Sequence, residues 1–384
     1  METRRMRCIE RSCTWEGSRQ PLKSRLSIFQ VAFLQRLVRR EQSQLPLIRT
    51  RLLHTLHTLL SCLLACAVGS AAAQSDDPRP INNFAANTAQ QLRAGDFNGL
   101  ETLAANLRAK PLLLNDGQPV LSGFYAGVSK CVEMRCGDER MAPDDWKAHE
   151  ELLAKWAVKF PDSVTAKTAM AMYWKEYGWY ARGLGYANTV NQDQWAAFKA
   201  RTEKARSLFE AIRTRNDKDA AWYEGMLSVA KAQGATDAAF DALYQEGIAR
   251  FPRYLPLYFL KAAQLSPRWG GTQSAYSGYV DSVVAVTSKE MGETMYARLN
   301  WSSWSPTMFT DGQADWPRMR RGFERLTHDY PDRWNINAYA KFACVAGDAR
   351  TLKQQLAKIG QAPILDLWGS MGFFLQCVGL SRQG

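Results

Sequence analysis

Three times in this chain an apolar helical stripe runs into an aromatic residue followed directly by proline. The segments are KFPDS at Phe160-Pro161, RFPRY at Phe251-Pro252 and HDYPDR at Tyr330-Pro331. Proline lacks the amide hydrogen that a helix interior needs, and it drives the residue before it into extended backbone. Each aromatic is therefore the last member of its stripe. Upstream, Leu152, Leu153, Trp156, Ala157 and Phe160 recur at helical spacing, as do Phe240, Leu243, Tyr244, Ile248 and Phe251. New helical patterns begin within a few residues of each turn, from Ser163, Leu255 and Asn335, and weaker versions lie near Pro111 and near Asn216-Asp217. No part of residues 74–384 reads as a run of alternating strands.

Helix, aromatic-proline turn, helix is the pattern of tetratricopeptide-like helical hairpins, which bury their stripes against their neighbours. The intervals are irregular here, and a strict repeat of about 34 residues is absent. The expected fold is all-α: an irregular tetratricopeptide-like α-α superhelix of packed helical hairpins, in a domain of residues 74–384. Within it, the stretch RFPRYLPLYFLKAAQLSPRWGGT (250–272) poses one question. Arg268-Trp269-Gly270-Gly271 reads as a turn, with Gly-Gly supplying permissive backbone, Trp269 packed over a helix end and Arg268 bonded to exposed carbonyls. The competing reading makes Arg268 and Trp269 the lining of a ligand groove.

The formal net charge of +12 suggests nucleic acid, but its distribution argues against it. Residues 1–73 hold twelve of the 49 Lys/Arg and four of the 37 Asp/Glu, which places +8 of the +12 in the leader. The remaining 311 residues are nearly neutral with interspersed charges, so no nucleic-acid partner is expected. The leader reads as a signal peptide over residues 49–73. Arg49 and Arg51 precede the apolar run 52–68, and Ala71-Ala72-Ala73 supplies small residues for cleavage after Ala73. The run is too short and too interrupted by His54 and His57 for a span, so no membrane span is expected in the mature form. Leu63-Leu64-Ala65-Cys66 offers an alternative, lipidation at Cys66. Residues 1–48 read as a mis-assigned N-terminal extension, and the mature protein is expected in the periplasm or outside the cell.

Four cysteines follow the leader: Cys131, Cys136, Cys344 and Cys377. An even count in an oxidising compartment suggests two disulfides, and proximity favours Cys131–Cys136 and Cys344–Cys377 among three possible connectivities. Zinc is the alternative, but C-x4-C with only His149 and His328 to complete it has no recognisable zinc spacing. No metal and no cofactor are expected.

Trp179-Tyr180-Ala181-Arg182-Gly183, then PLYFLKAAQLSPRWGG at 256–271, and NINAYAKFACVAGD at 335–348 resemble the bacterial domain of unknown function numbered 4034. The likeness extends over about residues 80–380. It implies a helical-repeat fold without an established activity, and it draws attention to Arg182 and to Arg268-Trp269-Gly270-Gly271.

Recognised catalytic motifs are missing from fitting contexts. His149 lies among Asp144, Asp145, Glu150 and Glu151 and reads as part of a solvated helix start; His328 reads as a last-turn residue. Glu176 stands among Tyr173, Trp174, Tyr177 and Trp179, which suggests a cell-envelope hydrolase acting on glycan, though nothing fixes a partner carboxylate. The preferred expectation is a non-enzymatic scaffold holding a protein or peptide of the cell envelope on its concave face. Arg182, Arg268 and Trp269 are its first candidate anchors, with Trp179 and Glu176 beside them and segments 172–182 and 295–304 supplying further aromatics.

Overall fold

The computed structural model describes residues 77–129, 143–183, 185–360 and 362–383. Sixteen α-helices account for most of these residues, and none of the described residues forms a strand longer than one isolated bridge. The first five are Pro80–Arg93 (α1), Phe97–Ala109 (α2), Val120–Val128 (α3), Pro143–Lys159 (α4) and Val164–Arg182 (α5). Gln192–Glu210 (α6), Ala220–Ala232 (α7), Asp237–Arg250 (α8), Leu255–Leu265 (α9) and Gln273–Met291 (α10) follow. Thr294–Ser302 (α11), Trp316–Asp329 (α12), Arg333–Val345 (α13), Ala349–Ile359 (α14), Leu365–Trp368 (α15) and Met371–Ser381 (α16) complete the set.

Short polar side chains start the helices by accepting amides that have no intrahelical partner. Ser163 accepts from the Ala166 amide at 2.9 Å and Asp315 from that of Arg318 at 2.8 Å, while Asn191 and Gln194 form a reciprocal capping box. The ends follow the prolines. Phe251 (φ −132°, ψ 63°) and Tyr330 (φ −136°, ψ 78°) leave helical backbone just before Pro252 and Pro331. Lys110 (φ −136°, ψ 94°) does the same before Pro111. The aromatic-proline turns thus close α4, α8 and α12, and the weaker one closes α2. The helix expected from Asn335 begins at Arg333, because Asp332 caps it by accepting the Trp334 amide at 2.7 Å.

Consecutive helices pack together and several also pack on the next but one: α5 on α7, α7 on α9, α9 on α11 and α14 on α16. Stacked helical hairpins give this pattern, so the fold is an all-α helical repeat. Two crossings are close enough to require glycine. A Cβ on Gly127 of α3 would lie 2.2 Å from the Ala85 carbonyl oxygen of α1, and one on Gly322 of α12 would lie 2.3 Å from that of Glu293. A continuous core follows the stack through Leu100, Trp156, Tyr173, Trp222, Leu257 and Phe323. A smaller cluster around Ala343, Leu352, Trp368 and Phe374 holds the C-terminal helices. There Cys344 and Cys377 form the expected disulfide (S–S 1.99 Å), tying α13 to α16. Cys131, Cys136, Cys66 and Ala73 lie outside the described residues.

Some contacts reach beyond neighbouring helices, and one joins an early turn to two late helices. The carbonyl of Asp116, in the turn after α2, accepts from Arg298 Nη2 of α11 at 2.6 Å and from Asn335 Nδ2 of α13 at 3.2 Å. These partners are 182 and 219 residues away in sequence. No helix among the described residues is long and apolar enough to cross a membrane.

Candidate functional site

Arg182, Trp179 and Trp269, far apart in sequence, meet in space. Arg182 ends α5, where Gly183 takes positive φ (72°) and turns the chain back. Its Nη1 donates to the carbonyls of Gly183 at 3.1 Å and Gly185 at 3.0 Å. Its guanidinium carbon lies 5.5, 5.4 and 6.0 Å from the ring centres of Trp179, Trp195 and Trp269. Trp179 and Trp269 meet edge to face at 6.0 Å. Pro267–Trp269 forms one 3₁₀ turn, ended by Gly270 with φ 91°, and a Cβ on Gly271 would lie 2.0 Å from the Leu265 carbonyl oxygen. Lys231 sits on Trp269, its Nζ 3.8 Å from the ring centre, and burial followed by the charge of Arg268 pushes its pKa down to about 8.

This cluster answers the question raised by Arg268-Trp269-Gly270-Gly271. The stretch is a turn, and Arg182 is a buried side chain whose Nη1 holds two carbonyls of its own loop beside three indole rings. Arg268 remains exposed, and 41% of Trp269 stays in solvent.

Glu176 does not join the cluster. Its Oε1 lies 2.6 Å from Lys175 Nζ in the interior. Burial works against the Lys175 ammonium, but the charges of Glu176 and Glu224 overcome it and raise its pKa. Glu224 in turn accepts from Tyr254 Oη at 2.5 Å, and Tyr254 Oη lies 2.9 Å from Ser122 Oγ. Burial pushes Glu224 above the ordinary carboxylate range against the pull of Lys175. The aromatics around Glu176 pack together: Tyr173 is fully buried, Tyr177 stacks on Trp146, and Tyr180 meets Trp146 at a tilt.

Two other expectations are corrected. His149 is 7% exposed and not solvated; its Nε2 lies 2.8 Å from the Val128 carbonyl and its ring stacks on Tyr173. The apolar face of α4 is wide enough to include it. Segment 295–304 is mostly core, with Met295, Leu299 and Arg298 buried, and among its aromatics only Trp304 is substantially exposed (38%).

Sequence reasoning missed a cleft of about 580 Å³ at the turns after α2, α6 and α8. Its apolar wall comes from Leu107, Leu112, Leu113, Leu121 and Phe251. Leu112 and Leu113 are 46% and 47% exposed. Asp219 lies at its floor, capping α7 by accepting the Ala221 amide at 3.1 Å; Tyr125 Oη donates to it at 2.8 Å, and Arg108 Nη1 forms an ion pair with it at 3.7 Å. Burial raises its pKa against those partners. Lys218 and Arg250 also line the cleft, and neither has a carboxylate within 4 Å among the described residues. Lys218 Nζ donates to the Arg215 carbonyl at 3.2 Å and Arg250 Nη2 to that of Asn216. Burial first, then the charges of Arg250 and Arg213, lower the Lys218 pKa. The one signal in the sequence was Pro111-Leu112-Leu113-Leu114, an apolar run where a turn should be polar.

Residues 90–241 match a domain of unknown function, DUF4034. The matched stretch holds Trp179, Arg182 and the part of the cleft formed by the end of α2 and the turns after α2 and α6. Arg268-Trp269-Gly270-Gly271 and residues 335–348, which also suggested the likeness, follow it in the chain. No curated protein and no solved structure matches the chain.

Proposed function

We propose that this protein is an exported, non-enzymatic scaffold that holds a segment of another protein in the cleft at the turns after α2, α6 and α8. The observation that carries the reading is the pairing of two half-exposed leucines, Leu112 and Leu113, with Lys218 and Arg250, which lack a carboxylate partner among the described residues. Half-exposed apolar side chains beside unneutralised cations are a stable arrangement for a surface that becomes covered. The basic, apolar and small-residue segments of 49–73 support export, with release after Ala73. The cluster around Arg182 then serves as framework.

The test is a pull-down from cell-envelope extract with the form beginning at Gln74. It is run beside Leu112→Asp/Leu113→Asp and beside Arg268→Ala/Trp269→Ala, with circular dichroism to show that each is folded. A partner held by the wild type and by the second variant, and lost by the first, is the expected result. A partner lost only by the second variant would move the site to Trp269. Glycan turnover abolished by Glu176→Gln, with no partner held, would replace the scaffold by a hydrolase.

A further inference from the structure

We infer that the ligand of this cleft is an extended peptide, an acidic side chain of which is held by Lys218 and Arg250 while its backbone pairs with Leu113. The inference rests on the scaffold reading and adds the chemistry of the ligand.

Leu113 and Pro119 form an isolated antiparallel bridge. Leu114 N donates to the Gln118 carbonyl at 2.8 Å and Val120 N to that of Leu112 at 2.9 Å. In an antiparallel pair bonded this way, the amide and carbonyl of the residue between the two bonds point away from the partner strand. For Leu113 that direction is outward, and neither group has a hydrogen-bond partner among the described residues. Such an edge is satisfied by an added strand, which brings an amide and a carbonyl at matching spacing. A fatty acid brings neither.

The charge argument comes from pairing off the lining residues. Of its cations, Arg108 lies 3.7 Å from Asp219 and Arg253 bonds Glu290 at 2.8 Å. Of its anions, Asp217 bonds Arg215 at 2.9 Å. Lys218 and Arg250 remain without a carboxylate among the described residues; carbonyl oxygens and the rings of Trp222, Tyr223 and Phe251 lie against them without cancelling their charge. One carboxylate from a ligand completes them. In an extended segment alternate side chains face opposite ways, so a peptide offers its acid on one side and aliphatic neighbours on the other. The cleft has both linings, cations and the leucine wall.

The experiment is selection from a displayed library of random dodecapeptides on the folded mature protein. The Leu112→Asp/Leu113→Asp variant serves for counter-selection. Enriched peptides should carry Asp or Glu beside Leu, Ile or Val. Replacing that acid by its amide should weaken binding about tenfold, the equivalent of one charge-assisted hydrogen bond. The tenfold difference should vanish in Lys218→Gln/Arg250→Gln and persist in Lys218→Arg, which keeps the charge and guards against a merely misfolded variant. Methylating single backbone nitrogens of an enriched peptide should abolish binding at one position. Enriched peptides without an acid, or insensitive to every backbone methylation, would overturn this inference and leave the scaffold reading standing. No enrichment over the counter-selected variant would overturn both.

Discussion

The cluster around Arg182 and the cleft around Lys218 are built from the same materials, cations and large apolar side chains, and they differ in who completes them. At Arg182 the chain supplies every partner: two loop carbonyls for the guanidinium and three indole rings near it. At Lys218 it supplies one carbonyl and the rings of Trp222 and Tyr223, 5.2 and 5.6 Å from Nζ, and the difference lies beside it, where two leucines are left half in water. A rare motif therefore marks framework here, and the surface with unfilled bonding capacity is made of commonplace turn residues. Rarity in sequence reports how few side chains fit a place. It does not report whether a place is finished.

The sharpest way to break the comparison is Arg182→Ala. It should remove about 1–3 kcal/mol of stability, since it deletes two hydrogen bonds to part-buried loop carbonyls and opens the space among the three rings. Urea unfolding measures the loss, and Arg182→Lys should recover little because an ammonium cannot reproduce the planar fork. Conversely, Leu112→Asp/Leu113→Asp should change stability by less than about 1 kcal/mol, because both leucines are half exposed. A large loss there would make the leucines core and the cleft incidental.

Smaller effects separate Trp269 from its neighbours. In the folded protein Lys231 loses its proton near pH 8, whereas in the unfolded chain it keeps it to about 10.4. The unfolded state thus binds more protons between these values, so this group makes the fold more stable as pH rises through that window. Tryptophan fluorescence should titrate near pH 8, and the step should disappear in Lys231→Met and in Trp269→Phe. The least effect is expected of Arg268→Ala. Stability should move by no more than about 0.5 kcal/mol at this exposed position, while the fluorescence step shifts upward as the repulsion on Lys231 is relieved.

Periodicity made the architecture legible because proline and helical stripes act locally. Phe160, Phe251 and Tyr330 end their helices for reasons contained within five residues, and Cys344–Cys377 followed from count and proximity. His149 was misread because charged neighbours in sequence do not say which way a ring points. Trp179, Arg182 and Trp269 were singled out together, but spacing could not show that Arg182 is saturated by its own loop. The cleft depends on three turns converging from well-separated stretches of sequence, those of Leu113, Lys218 and Arg250, and no local pattern encodes that meeting. The apolar run at Pro111-Leu112-Leu113-Leu114 was its only trace.

The carbonyl of Asp116 bears on the order in which the molecule is built. The first hairpin is synthesised long before Arg298 and Asn335 exist, so the turn that forms the cleft wall waits for the chain to come nearly full length. Closing so long a loop adds only modestly to the entropy already spent, because that penalty grows with the logarithm of length. It does, however, make the final docking step non-local and slow relative to hairpin formation. A stack of independent repeats can fray from one end and keep the rest. Here the last helices hold a turn of the first, so loss of the C-terminal third should release the cleft, and the protein should become competent to bind only when its synthesis is nearly finished.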